Sequence, residues 1–318
     1  MLHVTNGQSV LEGFRDGGIP GAFLAWNDVL HDGPVPRTAS LEALSDVRAS
    51  TLAGFGETND ADLRAEFAAR DAALAAFRDH DEVVLWFEHD LYDQLQLIQL
   101  LAWFDGRDRG RTRLSLIQIG EHREVAPFHG LGQLNGRQLA ELLPSRTDVT
   151  PAQLAAGRDA WAAFCDPDPA ALVAASQREA PGLPFLRAAL HRFLQEYPST
   201  ENGLSRLQHE VLAAAADGAQ TPRELYAASR EAEPWPWGDL SVFLRIDWLA
   251  SRPAPALARG DNGRLTITPL GERLLKGEAD WIRERGGIDT WLGGVHLTGT
   301  DARWRWNDAR QMLVTSTA

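Results

Sequence analysis

The first 130 residues alternate between short apolar runs and segments with helical periodicity. Four runs predict strands, at residues 2–5, 22–26, 82–87 and 113–119, and helices are predicted between them. The run at 82–87, EVVLWF, is apolar without interruption, which is typical of a central parallel strand covered on both faces. The pattern therefore predicts an α/β domain over residues 1–135, built on an open parallel sheet of Rossmann-like type.

The remainder of the chain has two further patterns. Residues 136–199 are helical throughout and predict a helical connecting region. Residues 200–318 predict a winged-helix-like domain, with helices at 204–216, 221–231 and 238–250 and a hairpin around an Asp-Asn-Gly turn. A last helix at 272–285 and a Trp-rich tail complete the predicted architecture.

Composition and charge narrow the classes of partner. The net charge is -13, and residues 1–199 carry 28 acidic against 17 basic side chains. This balance disfavours nucleic acid and anionic membranes as partners, because both are bound through basic surfaces. The single cysteine, Cys165, forms neither an internal disulfide nor a zinc ribbon, which suits a reducing compartment. With no leader pattern and no apolar run of about 18 residues, the sequence predicts a cytoplasmic protein. It does not indicate the oligomeric state.

Polar residues follow each predicted strand at its carboxyl end. In open parallel sheets this edge is where ligands bind, so residues placed there are candidates for function. They are Asn6, Gly7 and Ser9 after the first strand, Asp28, His31 and Asp32 after the second, Glu88, His89, Asp90 and Asp93 after the third, and His122 and His129 after the fourth.

The strongest group is His89, Asp90 and Asp93 in the motif EHDLYDQ. Imidazole and carboxylate groups suit a divalent metal as cofactor, and they also suit general acid–base catalysis near neutral pH. His31 and Asp28 are expected to approach His89 across adjacent strands, which makes all five residues candidate catalytic groups. The alternative is structural, with Asp90 capping a helix, His89 bonded to a loop carbonyl and His31 on a surface loop. Because the turn is predicted to be exposed, replacing His89 with Ala is expected to leave stability unchanged.

The turn between the first strand and the first helix is a candidate cofactor-binding segment. Asn6, Gly7 and Ser9 precede a helix whose backbone N–H groups suit an anion. The segment lacks the glycines of a dinucleotide fingerprint and the Lys of a Walker loop, so Ser9 as a helix cap and Asn6 as a turn residue remain the alternative. Covalent catalysis is disfavoured, because Ser9 is outside a Gly-x-Ser-x-Gly elbow and Cys165 has no neighbouring base.

Several motifs resemble those of a bacterial family known as the domain of unknown function numbered 1835. In the N-terminal part these are HVTNGQS, WNDVLHDGPVP, LWFEHDLYDQLQ and GLGQL. LPFLRAALHRFLQEYPST, GLSRLQHE, LTITPLGERLL and GGVHL extend the resemblance through the rest of the chain. The resemblance implies an architecture and no particular reaction.

Two hypotheses of function follow. The first is an enzyme, a hydrolase or transferase that acts on a phosphorylated or nucleotide-like small molecule at the strand-end crevice. The alternative is a ligand-responsive winged-helix transcriptional regulator. The third helix of the winged-helix-like domain carries only one basic residue, Arg245, together with Asp239 and Asp247. The remaining candidates for contacts with DNA phosphates are Arg259 and Arg264 of the wing. We expect duplex DNA to bind weakly or not at all.

Overall fold

The chain divides into two units, residues 1–190 and 191–318. The computed structural model describes residues 1–56, 58–233 and 237–316. The fold is mixed α/β, as the sequence predicts, and no helix in the described ranges is both long and apolar enough to cross a membrane.

The first unit is built on a five-stranded, mostly parallel sheet. Its strands are β1 (Leu2–Thr5), β2 (Ala22–Ala25), β4 (Glu82–Glu88), β5 (Arg113–Ile119) and β6 (Thr147–Asp148), in the order β2-β1-β4-β5-β6. Thr5 pairs with Trp86 across β1 and β4, and Glu88 pairs with Ile119 across β4 and β5. The four predicted strands are confirmed. The antiparallel edge strand β6 was not predicted, because two residues are too short for a periodicity.

Helices connect and cover these strands. They are α1 (Ser9–Asp16), α2 (Leu41–Gly54), α3 (Asp60–Ala75), α4 (Leu91–Phe104), α5 (Gly136–Leu142), α6 (Pro151–Phe164) and α7 (Ala170–Ser176), and a two-residue strand β3 (Gly33–Pro34) precedes α2. Helix α8 (Leu186–Leu194) crosses the division between the units. Helix α5 packs on α1 and α6 packs on α4, so helices of the predicted connecting region belong to the first unit.

The core explains why β4 has an uninterrupted apolar sequence. All seven residues of β4 are buried. Val84 and Trp86 face an apolar cluster that includes Phe14 of α1 and Leu139 of α5. His3 lies in the same layer, where Trp86 Nε1 donates to its Nδ1 at 3.0 Å and its Nε2 is 3.2 Å from Pro20 O. These contacts show that His3 is a hydrogen-bonded histidine of the core.

The second unit combines helices with three antiparallel hairpins. Its elements are α9 (Arg206–Ala216), α10 (Pro222–Ala232), α11 (Asp239–Ala250), β7 (Leu257–Arg259), β8 (Leu265–Ile267), α12 (Pro269–Leu275), α13 (Trp281–Arg285), β9 (Ile288–Gly293), β10 (Val295–Gly299), β11 (Trp304–Asn307) and β12 (Met312–Thr315). The single helix predicted at 272–285 is wrong. The chain breaks it at Gly277, which has φ +69°, a conformation that L side chains rarely adopt.

A buried charge network lies in the second unit. It consists of Arg192, Glu196, Arg206, Glu210, Glu233 and Arg245. Arg192 Nε donates to Glu233 at 2.7 Å, and its Nη1 donates to Glu196 at 2.8 Å. The guanidinium groups of Arg192 and Arg245 both lie near the Trp237 ring, at 4.9 and 5.6 Å from its centroid. Each buried carboxylate of the network therefore has an arginine as its counter-ion.

Candidate functional site

The candidate site lies where the sheet changes the direction of its connections. The chain runs from β1 to β2 on one side, and β4 and β5 then follow on the other side of β1. The carboxyl ends of the neighbouring strands β1 and β4 border the crevice that this reversal creates, and in open α/β sheets such crevices bind ligands. The turns that follow Thr5 of β1 and Glu88 of β4 lie at this position.

Three carboxylates meet at the end of β4, and we call Glu88, Asp90 and Asp93 the acidic cluster. Oxygen atoms of the three side chains lie within 4.8 Å of one another. Asp90 is the N-cap of α4 and accepts the Asp93 N–H at 2.8 Å. Asp93 accepts the Glu88 N–H at 2.8 Å and the side-chain amide of Asn6 at 2.5 Å. The Asn6 contact joins the turn after β1 to the turn after β4.

The pKa values of all three carboxyl groups in the acidic cluster are raised. Burial, and then the negative charges of Asp93 and Asp90, raise the pKa of Glu88 well above its usual range. Burial and the charge of Asp90 do the same to the pKa of Asp93. Burial raises the pKa of the half-buried Asp90 to about 6, against the opposing hydrogen bonds from backbone N–H groups. The site therefore resists holding three negative charges at once.

A glycine-rich loop lies against the acidic cluster and α1. The Leu131 N–H donates to Glu88 Oε1, and a Cβ at Gly130, where φ is +156°, would overlap the Glu88 carboxylate. A Cβ at Gly132 would lie 3.2 Å from Ser9 Oγ. In the sequence, the segment GLGQL is distinguished only by its resemblance to the family numbered 1835. The structure gives it a physical role, because its glycines allow close approach to both turns.

His89 has different surroundings from those of the acidic cluster. It is 6% exposed, and its ring centroid lies 6.1 Å from that of Phe128 and 6.0 Å from that of Phe185. Burial lowers its pKa, so the neutral imidazole is favoured. The expectation of an exposed His89 is wrong. Glu88, rather than His89, lies with Asp90 and Asp93.

Asp28 and His31 belong to a second group of buried residues. Arg48 Nε donates to Asp28 at 2.8 Å, and its other nitrogens donate to the carbonyls of Asp32, Pro34 and Val29. His31 follows β2 and His89 follows β4, and these strands are not adjacent because β1 lies between them. The expectation that the two histidines approach across adjacent strands is therefore wrong. A guanidinium group therefore organises this loop.

Tyr92 lies beside both groups. The His31 ring meets the Tyr92 ring edge-on at 5.5 Å. Burial, and then the charges of Asp28, Asp93 and Asp90, raise the pKa of Tyr92. Sequence reasoning missed this residue, although it precedes Gln96 by four positions and Gln99 by seven, which places the three side chains on one face of α4. The phenol is a neutral group placed between two sets of carboxylates.

The turn after β1 is open toward the helix that follows it. Gly7 has φ +68° and no atom near the position of a Cβ. The expectation that Ser9 caps this helix is wrong, because α1 begins at Ser9 and its N-cap, Gln8, makes no side-chain capping bond. The exposed Ser9 hydroxyl and the first backbone N–H groups of α1 thus lie at the edge of the crevice.

Cys165 is the single cysteine of the chain. It is buried at the end of α6, and burial raises its pKa to about 12. The thiolate that a nucleophilic cysteine needs is therefore disfavoured.

Comparison with known proteins finds no match for this chain. No protein-family model matches it, no curated protein matches it, and no solved structure matches it. The resemblance to the family numbered 1835 stays a prediction from the motifs.

Proposed function

We propose that the protein is an enzyme, a hydrolase or transferase that acts on a phosphorylated or nucleotide-like small molecule. The observation that carries this proposal is the hydrogen bond between Asn6 and Asp93, which joins the ends of β1 and β4 beside Glu88 and Asp90. In a Rossmann-like sheet this crevice is the usual ligand site.

The proposed phosphate contacts are at the N-terminus of α1. Gly7 leaves the backbone accessible, and Gln8 makes no side-chain capping bond. The first N–H groups of a helix point outward and favour negative charge, and the Ser9 hydroxyl adds a further donor. The glycine-rich loop at 130–132 touches Ser9 and Glu88, so the phosphate contacts would lie beside the acidic cluster.

The acidic cluster supplies the groups for chemistry. Asp90 is its most exposed member, whereas Asp93 is fully buried and Glu88 is 8% exposed. Carboxylates at such a position orient and activate the water or hydroxyl that attacks a phosphorylated substrate. Asp93 and Asn6 hold the two turns together and are positioning residues in this scheme.

The regulator hypothesis receives less support from the second unit. We propose that α9, α10, α11 and the β7–β8 hairpin form a winged-helix-like arrangement that packs rather than contacts DNA. Arg245 of α11 is 3% exposed and lies 3.5 Å from Glu196. Arg259 binds Asp247 at 2.7 Å, and Arg264 donates to Gln220 at 2.7 Å. The basic groups suggested for DNA contacts therefore already have partners within the chain.

The test measures binding of AMP, ATP and glucose 6-phosphate to the full chain by calorimetry, with and without Mg²⁺. We expect at least one of these three compounds to bind. The Asn6→Ala variant should bind that compound at least about tenfold more weakly, which corresponds to about 1.4 kcal/mol. Asn262→Ala, in the exposed β7–β8 turn, is the matched control. Failure of all three probes to bind, or equal affinity in the two variants, would overturn the proposal. Tight sequence-selective binding of duplex DNA at physiological salt would favour the regulator instead.

A further inference from the structure

Among the described residues the acidic cluster has no arginine partner, unlike several other buried carboxylates. Elsewhere Asp28 pairs with Arg48, Asp71 with Arg70 and Glu196 with Arg192. Within residues 1–56, 58–233 and 237–316, none of the ion pairs includes Glu88, Asp90 or Asp93. Three carboxylates in a buried place without a counter-ion are costly, because burial penalises each charge and the charges repel one another.

We propose that the acidic cluster binds one hard divalent cation, Mg²⁺ or Mn²⁺, with the Asn6 amide oxygen as a further ligand. Two oxygens that are each about 2.0–2.6 Å from a shared ion lie at most about 4–5 Å apart. The carboxylate oxygens of Glu88, Asp90 and Asp93 lie within 4.8 Å of one another. Their spacing therefore fits a single ion.

A second, independent observation is a group of buried oxygens without hydrogen-bond partners around the cluster. In the part of the chain that the structure describes, these atoms are Thr5 Oγ1, Asn6 Oδ1 and Gln94 Oε1. Thr5 and Gln94 are both 0% exposed. Buried polar atoms are normally satisfied, so oxygens left as acceptors indicate a cation or a donor that the chain itself does not supply.

The orientation of these side chains follows from their other contacts. Gln94 Nε2 donates to Glu88 O at 2.5 Å, which places the Gln94 amide at the cluster. Asn6 Nδ2 donates to Asp93, so the Asn6 oxygen lies within the width of one amide from that carboxylate. Thr5 pairs with Trp86, and therefore Thr5 and Glu88 are diagonal neighbours on one face of the sheet.

The donor set selects the class of ion. All the groups are oxygens, which favour Mg²⁺, Mn²⁺ or Ca²⁺ over the softer ions that histidine and cysteine bind. The purpose of the cation rests on the proposed function, because a phosphate beside three carboxylates is repelled unless a positive charge lies between them. Binding itself can be measured with the metal alone.

The experiment titrates Mn²⁺ into the metal-stripped full chain and follows the free ion by electron paramagnetic resonance. We expect one Mn²⁺ per chain, displaced by Mg²⁺, and a melting temperature that rises and saturates with metal. Glu88→Gln should weaken binding by at least about tenfold. Glu121→Gln, which removes an exposed carboxylate after β5, is the matched control and should bind as the unmodified chain does.

The melting temperature of the metal-free chain shows whether Glu88 is a metal ligand or a structural residue. Glu88→Gln keeps the acceptor for the Leu131 N–H and removes one of the repelling charges, so it should raise the melting temperature of the metal-free chain. A merely structural Glu88 would give a decrease. Asp90→Asn is the second variant if Glu88→Gln does not fold, because Asn is an equally good N-cap.

The outcomes are distinguishable from those of the proposed function. Equal Mn²⁺ affinity in Glu88→Gln and Glu121→Gln, or absence of binding at millimolar Mn²⁺, overturns the cation site. Mn²⁺ binding that Glu88→Gln abolishes supports the site even if AMP, ATP and glucose 6-phosphate all fail to bind. Binding of those probes in a chain that takes up no metal overturns the cation site and leaves the proposed function standing.

Discussion

Glu88 and His89 are neighbours in the chain, yet they contact different parts of the first unit. Glu88 accepts the Leu131 N–H beside Asp90 and Asp93, whereas His89 lies between the rings of Phe128 and Phe185. The sequence showed that both end a buried strand. It could not show which one enters the crevice, because that depends on two loops more than thirty residues away.

Replacing His89 with Ala tests this distinction. The residue is 6% exposed, so we expect a loss of about 1–3 kcal/mol in the free energy of unfolding, measured in urea. The same variant should keep its Mn²⁺ affinity. Val84 is a fully buried residue of the same strand, and Val84→Ala is the control because it removes apolar volume and no polar group. Loss of Mn²⁺ binding in His89→Ala with retention in Glu88→Gln would instead make the imidazole the ligand.

Individual elements were predicted in proportion to the strength of their local signals. The apolar runs of β1, β4 and β5 are visible in the sequence, and the structure has strands there. Strand β6 has two residues, and β9 and β10 lie in a segment read only as a Trp-rich tail. Their formation depends on pairing with other strands, which local periodicity does not reveal.

The loop after β2 shows how one helix residue organises a segment without secondary structure. Arg48 of α2 is fully buried and binds the Asp28 carboxylate and three carbonyls of residues 29–34. In the sequence this segment is rich in Pro and Gly and contains the candidate residues Asp28 and His31. That pattern gives no reason to connect them with an arginine on the next helix.

Removal of this arginine should be costly. Arg48→Ala leaves the buried Asp28 carboxylate and several carbonyls without a donor, so we expect a loss of about 3–5 kcal/mol in the free energy of unfolding. Arg64→Ala on α3 is the matched control. Arg64 also pairs with two aspartates, Asp46 and Asp60, but it is 40% exposed, so solvent screens both pairs and its loss should cost much less than the loss of Arg48. Equal losses in urea denaturation would contradict the structural role of the buried pair.

The whole chain carries a net charge of -13, and its buried carboxylates are not all neutralised in the same way. The network of the second unit pairs its carboxylates with arginines, whereas the acidic cluster of the first unit has no arginine partner among the residues that the structure describes. Within that network Glu210 has a raised pKa although it is paired with an arginine. Burial, and then the negative charge of Glu233, raise its pKa to about 7, although Arg206 donates to it at 2.8 Å and Arg192 opposes the shift.

Glu210 makes stability depend on pH in a defined window. Its pKa is higher in the folded chain than the ordinary value of 4.5, so its contribution is complete below pH 4.5. That contribution is lost as the pH rises through about 7. Glu196, whose pKa Arg192 and Arg245 lower against the effect of burial, acts in the opposite sense and only at more acidic pH.

We therefore expect Glu210→Gln to flatten the decline in the free energy of unfolding between pH 5 and about 7, measured by urea denaturation at each pH. Glu231→Gln, an exposed residue of α10, is the control and should keep the slope of the unmodified chain. A slope that is unchanged in Glu210→Gln would show that another group binds the proton.

The hydrogen bond from Asn6 to Asp93 joins positions 87 residues apart. Closing so long a stretch of chain is slow compared with forming a helix or a hairpin, and parallel strands bring their ends together only when the sheet itself forms. We therefore expect this end of the sheet to be among the last parts of the first unit to form during folding and among the first to be lost when the sheet opens. A ligand that needs both turns does not speed the formation of the native state. It lengthens the lifetime of that state, because its contacts must break before β1 and β4 can separate.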